Sequence, residues 1–331
     1  MTRFYTLIMI ALFTNLHMFS QTCCSGGIPL SNSIGLPVSG KGAFLLGLSY
    51  DYNYLNTLKS GNDVLDDRVR ERTTQSLLLN LGYTITRDLS VEALFTYVKQ
   101  ERIISIFGNV NKDGSNGIGD GVILFKYNFN ELFKKNNLLR IGLGTKIPIG
   151  ATDKKSDQGI LLNPDLQPGS GAWDLIGWSF YSQTFSFRPS GTFSATVVYR
   201  YTGTNNNFLN GNTTYRFGPE FQAFVNYTDQ FLVGKNLINP GLSVNYRNAA
   251  QDEIGGSLLD NTGGEWVNLI PTVNFEIIED LNFLLKIEIP IYSYVDGTQL
   301  TPTYRITTGL FYTIDRKNKK NQNPIPTHAT N

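Results

Sequence analysis

Strict alternation of apolar and polar residues constrains this chain more than any other feature of its sequence. The stretch LLRIGLGTKIPI at residues 138–149 shows the alternation most clearly. In an extended strand, successive side chains point to opposite faces. One face carries Leu139, Ile141, Leu143, Ile147 and Ile149, and the other carries Arg140, Gly142, Gly144 and Lys146. The pattern predicts a strand with one face in an apolar medium and a second face that accepts charge.

The same alternation recurs along the chain and defines a barrel. Each segment has about the 9–11 residues that a tilted strand needs to cross a membrane. The segments are 43–53, 73–86, 90–104, 117–129, 137–149, 173–185, 191–203, 212–227, 231–248, 265–278, 282–294 and 302–314. Short connections alternate with long ones, which is typical of outer-membrane barrels. The long connections are 54–72, 105–116, 150–172, 204–211, 249–264 and 295–301. We therefore predict an all-β, transmembrane, antiparallel up-and-down β-barrel of about twelve strands, over residues 43–314. A soluble antiparallel sheet with one wet face is the alternative.

The net charge and the lengths of the apolar runs limit the partners that the sequence predicts. The net charge is +1, which gives no reason to expect a nucleic acid. No run of 18 apolar residues occurs, so the sequence does not predict a membrane-spanning helix. Outer-membrane lipid is the expected surroundings of the apolar face, and a small-molecule solute is the expected partner of the polar face.

Both ends of the chain differ from the predicted barrel. Residues 1–20 have a basic start, an apolar run and a small residue near a plausible cleavage site, which predicts a secretory signal peptide. Residues 21–42 are rich in Gly, Ser and Pro and form either a periplasmic segment or a small plug in the lumen. Residues 315–331 are polar and basic and are expected to be a disordered periplasmic tail. The strand end TTGLFYTI at 307–314 resembles the signal that barrel assembly machinery recognises.

Fifteen charged residues occupy strand positions whose side chains are predicted to point inward, and we predict that they line the lumen. The cations are Lys126, Arg140, Lys146, Arg200, Arg216, Arg247, Lys286 and Arg305, and the anions are Asp51, Glu92, Asp120, Asp174, Glu220, Glu276 and Glu288. Two interpretations stay open at this point. The charges line a polar pore and tune what passes, or they form ion pairs that fill a narrow barrel. The longest loop, 150–172, is partly apolar and could fold inward as a constriction.

The residue types give little support for catalysis. The predicted barrel contains neither histidine nor cysteine, because His17, Cys23, Cys24 and His328 all lie outside it. A serine nucleophile would have no imidazole base, and a histidine-based metal site is excluded. We expect no enzyme activity, no metal and no cofactor.

Three stretches resemble a known family. They are GIGDGVILFKYNF (117–129), LQPGSGAWDLIGWSFYS (166–182) and RFGPEFQAF (216–224), and they resemble the MetA-pathway-of-phenol-degradation family of outer-membrane barrels, which are regarded as transporters. The N-terminal CCSGGIPLSNSIGLP is similar to the start of mature barrel proteins from the Bacteroidota. The resemblance implies a bacterial outer-membrane channel for passive uptake or efflux of small molecules, including hydrophobic or aromatic ones. The alternatives are a plugged structural barrel whose extracellular loops bind a partner or a surface and, more remotely, an outer-membrane enzyme.

Overall fold

A computed structural model describes residues 41–130, 137–234 and 236–314 of the chain. The predicted signal peptide, residues 21–40 of the following segment and the tail 315–331 lie outside the described residues. No helix in the described ranges is long and apolar enough to cross a membrane.

Strands make up most of the described residues. In chain order they are β1 (Phe44–Gly61), β2 (Asp63–Leu65), β3 (Arg70–Thr84), β4 (Leu89–Ile106), β5 (Asn109–Ile118), β6 (Gly121–Asn130), β7 (Asn137–Ile147), β8 (Asp174–Thr184), β9 (Thr192–Tyr201), β10 (Tyr215–Arg216), β11 (Glu220–Thr228), β12 (Phe231–Val233), β13 (Asn236–Ala249), β14 (Glu253–Ile254), β15 (Ser257–Leu258), β16 (Gly264–Ile278) and β17 (Leu281–Ile314). Two short 3-10 helices, Pro164–Leu166 and Phe208–Gly211, lie in the loops.

The long strands close into a ring. Hydrogen-bonded neighbours follow the order β1, β3, β4, β6, β7, β8, β9, β11, β13, β16 and β17, and β17 pairs with β1 again. Every pairing in the ring is antiparallel. Closure leaves the ring without a free sheet edge, as a membrane barrel requires.

The strand β17 crosses the wall twice. The end that begins at Leu281 pairs with β16, whereas the end that finishes at Ile314 pairs with β1. The N–H of Thr313 donates to the carbonyl of Asp280 at 2.9 Å, so both ends lie at the same rim. The strand turns back near Gly297, whose φ is 73°. Eleven strand elements therefore supply twelve crossings, and the predicted antiparallel barrel is confirmed.

The strands on one side of the barrel are longer than predicted. β1 continues to Gly61 and β4 to Ile106, and β5 folds back along β4. Much of the predicted loops 54–72 and 105–116 is therefore β-structure, and the predicted loop 295–301 belongs to β17. The sequence did not indicate these extensions, because above the membrane both faces of a strand meet water and the alternation disappears.

The outer face of the ring is apolar, with tyrosines at two levels. On β7, Ile141 and Leu143 are 49% and 61% exposed, whereas Lys146 on the opposite face is 2% exposed. Tyr83, Tyr127, Tyr227 and Tyr312 are exposed on the short-turn side, and Tyr97, Tyr199, Tyr201, Tyr292 and Tyr294 are exposed on the long-loop side. Two aromatic levels around an apolar band are the pattern of a membrane barrel.

The inner wall carries an apolar patch. Its members, each at most 3% exposed, are Leu78, Leu94, Val122, Leu124, Ile176, Trp178 and Val198, from β3, β4, β6, β8 and β9. The glycines of β7 make room for it. A Cβ on Gly142 would lie 3.2 Å from the Trp178 ring and 3.3 Å from a Leu124 methyl group. These two side chains therefore meet across the bare backbone of β7.

Candidate functional site in the barrel interior

A belt of alternating charges runs along the inner wall near the long-loop rim. Lys146 on β7 lies 3.5 Å from Asp120 and 2.7 Å from Asp174, measured from the ammonium nitrogen to a carboxylate oxygen. The Nε of Arg200 on β9 lies 4.0 Å from the same carboxylate oxygen of Asp174. All four side chains are nearly or fully buried, so each charge depends on its neighbours for compensation.

The belt continues through Glu220 to Trp266. Arg200 donates to one oxygen of Glu220 at 2.9 Å, and Arg247 on β13 donates to the other at 2.8 Å. The guanidinium of Arg247 in turn lies 4.8 Å from the ring centroid of Trp266 on β16, which is within cation–π range. The belt thus contains six charges from neighbouring parts of the wall, and the ring of Trp266 lies at its end.

Strand register brings these residues together. Lys146 is the direct cross-strand partner of Asp174, and Arg200 is the partner of Glu220. Arg247 is the partner of Trp266. Directly opposed side chains of opposite charge stabilise a sheet, so the belt also favours this register over its alternatives.

A second group of charges lies nearer the short-turn rim, beside the apolar patch. The ammonium of Lys126 on β6 pairs with Glu92 on β4 and lies 4.7 Å from the ring centroid of Trp178. Arg140 lies within electrostatic range of Glu92, and its guanidinium carbon is 5.9 Å from the ring of Phe180. The rings of Trp178 and Phe180 are stacked at 6.0 Å. This part of the wall combines cations with aromatic faces.

A third group lies where β1 meets β17. The Nε of Arg305 lies 2.8 Å from a carboxylate oxygen of Asp51, which also accepts from the hydroxyl of Thr307 at 2.7 Å. Lys286 on β17 interacts electrostatically with Glu288 on the same strand and with Arg305 and Asp51.

Two of the selected residues lie apart from these groups. Arg216 was predicted on a wall strand, but it belongs to β10, which pairs with β14 outside the ring, and it forms an ion pair with Glu253 at 3.4 Å. The reason is a break after Arg216, where the N–H of Gly218 donates to a loop carboxylate at 2.8 Å. Glu276 is half-buried on β16, near the short-turn rim. Arg216 therefore does not lie on a strand of the ring, contrary to the prediction.

The long loop 148–173 folds into the mouth of the barrel. Asp165 at its tip forms an ion pair with Arg72 on the inner face of β3, with 2.6 Å between Nη1 and Oδ2. Arg72 is fully buried and Asp165 is 3% exposed. We did not select either residue from the sequence, because 54–72 was predicted to be a loop and Asp165 lies between strands. The prediction that this loop could fold inward agrees with the structure.

The tip of this loop faces a cluster formed by two other long loops. The hydroxyl of Tyr215 donates to Asp252 at 2.6 Å, and the N–H of Gly218 donates to the other oxygen at 2.8 Å. Burial raises the pKa of Asp252 to about 6, and the negative charge of Asp165 adds to this effect. Burial and the neighbouring Asp252 also raise the pKa of Tyr215. Three loops therefore converge at the mouth.

Some buried polar atoms of the inner wall have no hydrogen-bond partner within the part of the chain that the structure describes. They include both amide atoms of Asn80 on β3, the hydroxyl of Ser49 on β1 and the indole nitrogen of Trp178. Asn80 is fully buried beside Leu94 of the apolar patch, which is its cross-strand partner. Buried polar groups are nearly always paired, so an internal water is the expected partner of these atoms.

Comparison with known proteins places the chain among membrane barrels. The family model described as "Putative MetA-pathway of phenol degradation" matches residues 64–301. None of the curated proteins matches the sequence.

Similar folds occur among solved structures. The COG4313 outer membrane channel from Pseudomonas putida F1 has a TM-score of 0.65 at 14% identity, over 87% of this chain and 100% of that chain. The beta domain of the Bordetella autotransporter BrkA has a TM-score of 0.46 at 14% identity, over 81% of this chain and 100% of that chain. At this level of identity the first likeness concerns the fold alone, and the second carries no further argument.

Proposed function

Because this chain belongs to the family described as "Putative MetA-pathway of phenol degradation", we propose that it is a channel for passive passage of small molecules, including hydrophobic or aromatic ones. The chain is an outer-membrane β-barrel. The COG4313 protein from Pseudomonas putida F1, whose fold is similar, is itself described as an outer membrane channel, which supports the proposal. The fifteen selected charges, apart from Arg216, are proposed to line the route.

The observation that carries the proposal is the pairing of the interior charges beside an apolar patch. Lys146, Arg200 and Arg247 are each matched by a carboxylate within 4.0 Å. Paired charges present a weak net field to a passing ion, so they give little reason for a charged solute to be preferred. Trp178 and the amide of Asn80 are buried in this conformation, at 3% and 0% exposed, and we propose that a neutral solute contacts them during passage.

Conductance and flux of the refolded mature protein test this function. The protein is measured in planar bilayers, with and without residues 21–42, and in liposomes loaded with neutral aromatic or charged solutes of equal size. We expect conductance in at least one form and faster flux of the neutral solutes. Conductance only after truncation would identify 21–42 as a plug. The absence of both conductance and neutral-solute flux in both forms would overturn the channel.

The inward loop and the buried charges favour a second candidate. A barrel whose mouth is occupied by the loop 148–173 could be a plugged, structural protein whose outer loops bind a partner or a surface. Silence in every form of the flux experiment would support this function instead.

The proposal also covers the signal peptide, the insertion of the barrel and enzyme activity. Residues 1–20 are proposed to be a cleaved signal peptide, and barrel assembly machinery is proposed to insert the chain into outer-membrane lipid. We propose no enzyme activity, because residues 43–314 contain neither histidine nor cysteine. Mass spectrometry of the mature N-terminus tests the cleavage.

A further inference from the structure

We propose that residues 148–173 form a gate at the outer mouth, hinged at Asp120 and latched to the wall by the Arg72–Asp165 ion pair. This inference rests on the proposed channel function. It goes further because it names the moving part and the contact that controls it. The geometry distinguishes three parts of the loop, namely a neck, a body and a tip.

The neck is fixed to the strands that the loop joins. The carboxylate of Asp120 accepts from the N–H of Gly150 at 3.1 Å on one side of the neck. It accepts from the N–H and hydroxyl of Ser170 on the other side, at 2.9 Å and 2.6 Å. Lys146 also donates to the hydroxyl of Ser170, at 2.5 Å. These bonds hold both sides of the neck at the rim whatever the tip does.

Two glycines let the sides of the neck touch. A Cβ on Gly150 would lie 2.6 Å from the Cα of Gly169, closer than real Cβ atoms come to backbone. The N–H of Gly169 donates to the carbonyl of Ala151 at 2.9 Å. A narrow neck with two glycines and one shared carboxylate is a suitable hinge, because few backbone angles must change when the body rotates.

The body of the loop is held together by its own contacts. The side-chain amide of Gln167 donates to the carbonyls of Lys154 and Leu162, both at 2.9 Å, and accepts from the N–H of Lys154 at 2.9 Å. Leu162 returns a backbone hydrogen bond to Lys154. Since these bonds do not involve the wall, the body can move as one unit.

The tip is held to the wall by three side chains from other strands. Arg72 donates to the carboxylate and the carbonyl of Asp165. Gln100 donates to the carbonyl of Gln167 at 3.0 Å, and the hydroxyl of Ser115 donates to the carbonyl of Leu166. These three contacts are polar, so water can replace each of them when the tip leaves, whereas the fully buried side chain of Leu166 becomes exposed. The charged pair is the strongest of them, which makes it the latch.

The test uses one engineered thiol at the tip. In a background with C23S and C24S, Leu166→Cys places a thiol at a fully buried position. Its rate of labelling by a water-soluble maleimide is measured with conductance on the same refolded protein. Arg72→Met removes the latch charge. Arg102→Met is the matched control, because Arg102 is the cross-strand partner of Arg72 and pairs with Asp113 at 2.9 Å, while among the described residues no hydrogen bond or ion pair joins it to the loop.

We expect Arg72→Met to raise both the labelling rate and the open probability by about tenfold, because the open state gains population. Arg102→Met should leave both unchanged. Adding Ser115→Cys and oxidising the pair should lock the tip and abolish the gain in open probability, with recovery on reduction. Folding of each variant is checked by heat-modifiable gel mobility, and Arg72→Lys, which keeps the charge, serves as a milder variant if Arg72→Met does not fold.

The outcomes separate the gate from the channel. If conductance is present but independent of Arg72 and of the disulfide, the gate is overturned and the channel stands. If labelling rises while every variant, including one without residues 21–42, stays silent, the channel fails and the gate fails with it. If labelling does not change, the loop is fixed and the latch is wrong.

Discussion

Glu220 accepts hydrogen bonds from two arginines that lie on opposite neighbouring strands. Arg200 on β9 reaches it at 2.9 Å and Arg247 on β13 reaches it at 2.8 Å. The amide of Gln222 also donates to this carboxylate. One buried anion therefore compensates two cations and joins three strands of the wall.

Removing the charge of Glu220 should destabilise the barrel strongly. Glu220→Gln leaves Arg200 and Arg247 close together without their shared carboxylate, and breaking a buried pair in this way costs about 3–5 kcal/mol. We expect a lower midpoint of urea unfolding in lipid vesicles. Glu101→Gln is the control, because its partner Lys112 is 60% exposed and Glu101 is 24% exposed, and ion pairs open to solvent contribute at most about 1 kcal/mol. Equal effects of the two substitutions would contradict a structural role for the belt.

The glycines of β7 should be intolerant of side chains. A Cβ on Gly144 would lie 2.9 Å from the backbone Cα of Leu124, which cannot move aside without shifting β6. Gly144→Ala should therefore lower the free energy of unfolding by about 1–3 kcal/mol. Gly177→Ala on β8 is the matched control, because its Cβ would meet no atom within 4 Å. Unfolding curves of both variants in the same vesicles provide the measurement.

The sequence predicted the barrel because one physical constraint acts on every strand. Lipid on one side and a polar interior on the other impose a period of two, which residues 138–149 show plainly. The same constraint placed Lys126, Lys146 and Arg200 on the inner face. Where it no longer acts, as in the extension of β1 to Gly61, the prediction of a loop was wrong.

Which charges meet could not be predicted from parity alone. The meeting of Arg200 with Glu220 depends on the register of β9 against β11, and a shift of two residues would preserve parity while separating them. The Arg72–Asp165 pair joins positions 93 residues apart, through a loop whose sequence has no period. Such contacts are set by the closed geometry of the ring and by loop folding, not by local pattern.

The cluster at the mouth should weaken as the pH rises from about 4 to 6. Burial raises the pKa of Asp252 from 3.8 to about 6 in the folded loops. Below pH 4 the carboxyl is protonated both in the closed and in the opened loops. Between these values Asp252 loses its proton in the opened loops before it does so in the closed loops. The free energy that favours the closed loops therefore falls by up to about 3 kcal/mol as the pH rises.

Hydrogen exchange at residues 250–263, corrected for the intrinsic rate, measures this effect. We expect greater protection at pH 4.5 than at pH 7. Asp252→Asn should remove most of the pH dependence, whereas Asp260→Asn, at an exposed position in the same loop, should leave it intact. Protection that rises with pH in the unmodified protein would contradict the assigned direction of the pKa shift.

A lysine placed at either of two adjacent positions on β9 should show which face of the wall meets lipid. Val197 lies on the outer face and is 38% exposed, whereas its neighbour Thr196 pairs with Phe180 and Phe224 on the inner face. A lysine near the middle of the lipid face costs about 2–4 kcal/mol. Val197→Lys should therefore lower the folded fraction in bilayers of matched thickness, as measured by heat-modifiable gel mobility, while Thr196→Lys keeps most of it. If the inner substitution were the more damaging one, Thr196 would face packed side chains and not a polar interior, and the channel proposal would lose its support on this strand.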